Sequence, residues 1–246
     1  MTHRSSPRLA AAPSLAQRLR HALKAQRGFI VFMLCLGVFR TAVADWNPIP
    51  SGSMRPTLLE GDVVFVNRLA YDLKLPLTDV VLATLGEPHR GDVVTFSSPA
   101  DGKRLIKRIV ALPGDRVAMH DERLVINGET AVYDTPQAVL EPTGAVTPAL
   151  RDGVRMTERV AGHTRRVQWL PEVPARRDFA EVTVPAGQWL VLGDNRDDSA
   201  DSRYIGFIPR EKLIGRAERV LVSLDYREHI GPRWSRWGAS LSELGQ

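Results

Sequence analysis

Gly61-Asp62-Val63-Val64-Phe65-Val66 is the stretch whose reading decides the fold. A turn-forming Gly-Asp pair feeds a short run of β-branched and aromatic residues, which is strand chemistry. The arrangement returns at Gly91-Asp92-Val93-Val94-Thr95-Phe96 and again at Gly114-Asp115-Arg116-Val117. The spacings, 30 and then 23 residues, are too irregular for a repeat architecture, so these are separate strand entries. Strand patterns also fall at 104–112, at Leu124-Val125-Ile126 before the hairpin turn Asn127-Gly128, and at 181–184 and 189–192. The chain reads as mainly β. Residues 68–90 read as a polar connection, and 134–181, with many prolines and charges, as a surface-exposed insertion.

Upstream of the first strand the character changes. Residues 1–44 hold seven Lys/Arg and no Asp or Glu, which leaves −2 of the chain's net +5 for the rest. The basicity belongs to the N-terminal tail, so no nucleic-acid-binding domain is indicated. Phe29 to Phe39 is a continuous apolar run, extended by Thr41-Ala42-Val43-Ala44 to about 16 residues, near the lower limit for a membrane span. Arg40 sits near one end, where a long side chain snorkels, and Trp46 falls where an interfacial aromatic belongs. A cleavable secretory signal ending at Ala42-Val43-Ala44 is the competing reading. Arg40 and the long basic region favour an uncleaved anchor. Either way, the basic side stays in the cytoplasm and the rest lies outside it.

The lone cysteine, Cys35, lies inside the apolar run, so neither a disulfide nor a cysteine-based metal site is expected. The six histidines are scattered without metal-ligand spacing. The acidic stretch Gly193-Asp194-Asn195-Arg196-Asp197-Asp198-Ser199-Ala200-Asp201-Ser202-Arg203 offers no calcium-loop frame. It reads as a hydrogen-bonding loop after a strand, with Gly193 allowing close backbone approach. No metal and no cofactor are implied.

Two stretches carry candidate chemistry. Residues 48–58, PIPSGSMRPTL, stiffen a Ser-Gly-Ser unit between prolines. Alone it is a polar turn more often than an active site, but it suits a nucleophile with its oxyanion donors. Residues 104–112, RLIKRIVAL, read as a strand with Lys107 between Leu105 and Ile109 on one face, and Arg108 with Ile106 and Val110 on the other. A basic edge strand explains this pattern, and so does a lysine whose pKa is lowered by an apolar wall. Of the five lysines, only Lys107 lies on a patterned strand. There is neither a Gly-x-Ser-x-Gly elbow nor a Ser-x-x-Lys motif.

PSGSMRPTL, KRIVALPGD from Lys107 and GDNRDDSADSR from Gly193 together resemble the bacterial type I signal peptidases, membrane-anchored Ser–Lys endopeptidases. The resemblance spans roughly residues 46–220. It implies a nucleophile at Ser53, a general base at Lys107, and an oxyanion hole from Ser51 and Ser53. It further implies that Ser199 orients the base and that Asp201, Arg203 and Gly193 support the site. Substrates would be preprotein signal peptides with small residues at the first and third positions before the cut, met at the lipid surface. Asp198 departs from the pattern, standing where Asn is usual, and is expected to face solvent; one candidate span stands where the best-known members have two. The implied fold is an antiparallel β core with a β-rich insertion, preceded by one N-terminal transmembrane helix. The divisions are a basic cytoplasmic tail at 1–27, an anchor at 28–44, a catalytic core at 45–116 and 182–228, an insertion at 117–181, and a C-terminal tail at 229–246. Two rivals are a relative dedicated to one substrate, such as a conjugative pilin, and a non-catalytic tethered β domain that binds exported chains.

Overall fold

Residues 14–16, 23–76, 78, 80–143, 149–226 and 230–245 are described by the structure, a computed structural model of the 246-residue chain. Apolar residues 29–39 form most of helix α1 (Arg27–Ala42), whose large side chains are largely exposed. The helix is 16 residues long, about 24 Å at 1.5 Å per residue. The expected span over 28–44 is therefore corrected: among the described residues no helix is long and apolar enough to cross a membrane. Sheet formation competes for its end. Ala44 opens strand β1 (Ala44–Pro48) and pairs with Asn67 in strand β2 (Asp62–Asn67). The carbonyl of Val43 accepts the N–H of Arg68 at 3.0 Å. Arg40, expected to snorkel, instead bonds Asp45 at 2.9 Å with its guanidinium 4.5 Å above the Trp46 ring. Residues 15–16 and 23–25 are helical; the rest of the basic tail before residue 23, apart from Ser14, lies outside the described residues.

The Gly-Asp entries do what their chemistry dictates. Gly61, Gly91 and Gly114 all have φ near +90°, a region closed to most side chains, and each precedes an Asp that leads into a strand. These strands build an antiparallel main sheet with the order β1, β2, β17 (Leu213–Asp225), β5 (Val93–Ser97), β6 (Arg104–Ala111), β15 (Gln188–Leu192), β16 (Ile208–Pro209). Strand β6 lies inside this sheet, paired on one side with β5 (Val94 opposite Lys107) and on the other with β15. The edge-strand explanation of Lys107 fails on that pairing. Two apolar clusters flank the sheet: Met54, Leu58, Val64, Val66 and Val220 form part of one, and Phe96, Ile109, Val191 and Leu213 part of the other.

Three stretches are more ordered than their sequence patterns suggest. The 68–90 connection contains a hairpin of β3 (Asp72–Lys74) and β4 (Val81–Thr84), with Val81 and Leu82 exposed. Lys74, expected in a loop, lies in β3, buried, and donates to the carbonyls of Glu211 and Leu213 at 2.9 and 2.7 Å. Residues 117–181 contribute to two further sheets. One joins β14 (Phe179–Thr183), β7 (Arg116–His120), β8 (Arg123–Ile126) and β9 (Glu129–Thr130). The other centres on β12 (Ala149–Val160), flanked by β10 (Val132–Tyr133), β11 (Gln137–Thr143) and β13 (His163–Trp169). Their core is continuous with that of β15, since Val117, Leu124 and Val160 pack with Leu190 and Leu192. Residues 231–245 clasp the main sheet: β18 (Gly231–Pro232) pairs with β17 and Leu241 is buried in the core.

Candidate active site

Ser53 sits in a single 3₁₀ turn, Gly52–Met54, that follows Pro50 and starts from an extended Ser51. Met54 and Leu58 are fully buried on either side of Arg55 and Pro56, so the turn is anchored by its apolar residues. Two bonds from the acidic loop hold it from the other side. The N–H of Asn195 donates to the Ser53 carbonyl at 3.2 Å, and its side-chain amide donates to the Gly52 carbonyl at 3.1 Å. Ser53 is left half-buried, while Ser51 is exposed and its hydroxyl caps nothing.

Lys107 reaches this turn from the middle of β6. Its Nζ lies 2.8 Å from Ser53 Oγ and donates to the carbonyl of Ile106 at 2.9 Å. The residue is only 2% exposed. Desolvation disfavours its ammonium and lowers its pKa to about 8, against the opposing fields of Asp201, Asp194 and Asp198. Asp198 is exposed, as expected. An amine of this pKa is partly neutral near physiological pH and lies in reach of a hydroxyl proton.

Gly193 sets the fit between the loop and the turn. A methyl there would overlap the Ser199 side chain and stand 2.5 Å from the Ser53 carbonyl oxygen. Asp201 holds Gly193 in place by accepting its N–H at 3.0 Å. The same carboxylate takes a two-pronged bond from Arg203, at 2.9 and 2.8 Å, and caps the short helix α2 (Ser202–Ile205). Among the described residues Ser199 Oγ, which is buried, has no hydrogen-bond partner, so the orienting bond to Lys107 implied by the resemblance is not formed. The loop reads as acidic in sequence, yet Asp194, Asn195, Arg196, Asp197 and Asp201 are all buried.

Sequence reasoning missed the pair that ties the two halves together. Arg108 donates from Nε and Nη2 to Asp194 at 2.8 and 2.7 Å, and Thr57 Oγ1 adds a third bond to the same carboxylate at 2.6 Å. The signal was present: Arg108 stands between Ile106 and Val110 on its face of β6, and a guanidinium buried there demands a carboxylate. What was missing was which of the loop's aspartates lies within reach. Among the described residues no group of His, Cys, Asp and Glu is arranged to hold a metal ion.

Comparison with known proteins bears on this geometry. The sequence profile of the family described as signal peptidase, peptidase S26 matches residues 22–222. A signal peptidase I of Pseudomonas fluorescens is 34% identical over 80% of this chain and 71% of its own length. One from Pseudomonas aeruginosa is 33% identical over 86% of this chain and 77% of its own. A third, from Buchnera aphidicola, is 28% identical over 85% and 78%. The profile takes in the turn of Ser53, the strand of Lys107 and the loop from Gly193 to Arg203, and on that match the chain belongs to the signal peptidase family, peptidase S26.

Proposed function

We propose that this chain is a membrane-held signal peptidase I that removes signal peptides from exported preproteins after small residues, with Ser53 as nucleophile and neutral Lys107 as general base. The observation that carries the reading is the 2.8 Å approach of Lys107 Nζ to Ser53 Oγ in a wall that lowers the amine's pKa. Neutral Lys107 takes the hydroxyl proton as Ser53 Oγ attacks the scissile carbonyl carbon. The oxyanion is received by the N–H of Ser53 and the hydroxyl of Ser51. Lys107, now an ammonium, gives its proton to the leaving amine as the peptide bond breaks. A water then enters, loses its proton to Lys107 and attacks the ester carbon, and Lys107 returns that proton to Ser53 Oγ as the acyl bond breaks. The ammonium has three N–H donors and its resting partners are two. Ser199 Oγ, buried and unpartnered, is the acceptor for the third, which gives it an orienting role during turnover. Asp201, Arg203 and Gly193 hold the loop. No metal or cofactor enters this chemistry.

The same reading divides the chain into a core at 45–116 and 182–228 and an insertion at 117–181, behind a basic N-terminal tail. Helix α1 holds the core at the bilayer. Exposed Phe29, Phe32 and Leu34 on that helix, Val81 and Leu82 on the β3–β4 hairpin, and exposed Trp234 are the lipid-facing residues. Cleavage of several unrelated preproteins separates a general enzyme from a dedicated maturation peptidase. A non-catalytic binding domain would cleave none. The test is cleavage of a preprotein by the wild type and by Ser53→Ala, Lys107→Ala and Lys107→Arg. All three variants are expected to lose activity while keeping their fold, arginine because it stays protonated. Near-normal turnover by Lys107→Ala would refute the Ser–Lys mechanism.

A further inference from the structure

Successive residues of a strand face opposite ways, so Arg108 leaves β6 on the side away from Lys107. There it joins a second charged centre that the peptidase chemistry does not use. Three buried guanidiniums, those of Arg108, Arg165 and Arg196, share two carboxylates. Asp194 is taken by Arg108. Glu158, fully buried, accepts from Arg165 Nε at 2.5 Å, from Arg196 Nη2 at 2.8 Å and from the Tyr133 hydroxyl at 2.6 Å, with Arg196 Nη1 in ion-pair range at 2.7 Å. Two carboxylates leave the three guanidiniums with one positive charge in excess. Glu158 is shared between Arg165 and Arg196, and Arg165 Nη1 and Nη2, like Arg196 Nε, are buried and have no hydrogen-bond partner among the described residues.

Arg165 lines a cavity of about 180 Å³ together with Arg90, Gly91, Arg108, His163 and Gly245. Among the described residues lining it, none is acidic. Arg90 turns its guanidinium to Asp115 at 2.8 Å. Gly91 lets the imidazole approach closely: a methyl there would stand 3.1 Å from His163 Nδ1. A fixed, planar fork of N–H donors beside a second, titratable donor is the chemistry that receives a tetrahedral oxyanion.

We propose that this cavity binds a phosphate-type oxyanion, held by Nη1 and Nη2 of Arg165 with the His163 imidazole as the second donor. The anion supplies the negative charge that the three guanidiniums together lack. Two sources share this chemistry, free inorganic phosphate and the phosphoryl group of a lipid headgroup. The inference stands apart from the Ser53–Lys107 reading and uses none of its residues as a probe. Burial pushes the pKa of His163 down, Arg90, Arg165 and Arg108 add to it, and Asp92 opposes them. A bound anion reverses that balance, so the imidazole reports occupancy.

The experiment follows the His163 ring resonances by NMR in the full chain, held in uncharged detergent, while phosphate replaces chloride at constant ionic strength. A saturable rise in the His163 titration midpoint, with a matching rise in thermal midpoint, is expected. His163→Gln should keep the fold and weaken phosphate stabilisation about tenfold, as for the loss of one charged hydrogen bond. Arg165→Met should abolish the response. A response to inorganic phosphate identifies the free anion as ligand. A response only to phosphatidylglycerol vesicles, and not to inorganic phosphate, identifies the headgroup. No His163 shift with either source overturns the proposal, and this arm needs only the wild type. So does a folded Arg165→Met variant that binds phosphate with wild-type affinity.

Discussion

Lys107 is where environment overrides identity. A lysine in water is protonated up to pH 10.5, whereas burial between β5 and β15 brings this one to about 8. For a base that must be neutral, kcat/KM should rise with pH through a midpoint near 8 in the free enzyme. Because Asp198 raises the lysine's pKa from an exposed position, Asp198→Asn should move that limb to lower pH. A limb unmoved by Asp198→Asn and centred far from 8 would count against Lys107 as the base. The shift also has a stability consequence. The unfolded lysine binds its proton more tightly than the folded one between pH 8 and 10.5, so stability rises with pH across that window. Below pH 8 the full penalty is present. Lys107→Met should therefore be inactive yet more stable near pH 7, by up to about 3 kcal/mol, with the gain fading toward pH 10.5. Denaturant melts at the two pH values measure it, and equal stabilisation at both would contradict it.

At the scale of elements, the loop after β15 positions the site more than the strand that carries Lys107. It is built from polar groups that satisfy one another: Asp201 with Arg203 and Gly193, Asp194 with Arg108 and Thr57, Asn195 with the Ser53 turn. Such networks set geometry because each partner, once lost, leaves another buried and unpaired. At Gly193 the loop lies so close to the turn that an added methyl would stand 2.5 Å from the Ser53 carbonyl oxygen. Gly193→Ala must push them apart. The cost of overpacking is roughly 1–3 kcal/mol, and a displacement of about 1 Å at a reacting atom costs on the order of 100-fold in rate. Cleavage kinetics beside a thermal melt test this. A folded Gly193→Ala enzyme with full kcat would mean that the loop does not position Ser53.

Across the whole molecule, the two ends of the chain meet the same sheet. The N-terminal helix runs directly into β1, and Ala42 and Ala44 are buried there. At the other end, Arg236 bonds both oxygens of Asp62, at 3.1 and 2.5 Å, and the carbonyl of Thr57 at 2.9 Å. Arg233 donates to the Glu60 carbonyl at 3.0 Å. The C-terminal segment thereby braces the segment just after the Ser53 turn. Removing residues 230–246 should leave buried Asp62 without its guanidinium partner, uncover the apolar cluster of Met54 and Leu58, and abolish both the cooperative melt and cleavage. A truncated chain that melts like the full one would show the segment to be dispensable.

The amino-acid sequence by itself determined the β character of the chain, and only the resemblance pointed to its candidate site residues. The β features are local: Gly-Asp pairs demand turns and β-branched runs demand strands, whereas Lys107 between Leu105 and Ile109 fits an edge strand as well as a buried amine. The 2.8 Å approach of Lys107 to Ser53 was legible only through the resemblance, since 54 residues separate them. Tertiary structure alone decided the rest. Which aspartate meets Arg108 and how the C-terminal tail joins the main sheet depend on pairings between distant segments, and Arg40 meets Asp45 only where the helix gives way to β1. The sheet of β12 stayed hidden for the same reason, as its strands carry charged residues that become apolar in effect only when paired. Glu141, Glu158 and Arg165 read as surface residues until the fold sets Glu141 against Arg55 and Arg155, and Glu158 against Arg165 and Arg196. Charge pattern is a local property, whereas charge compensation exists only after the chain has folded.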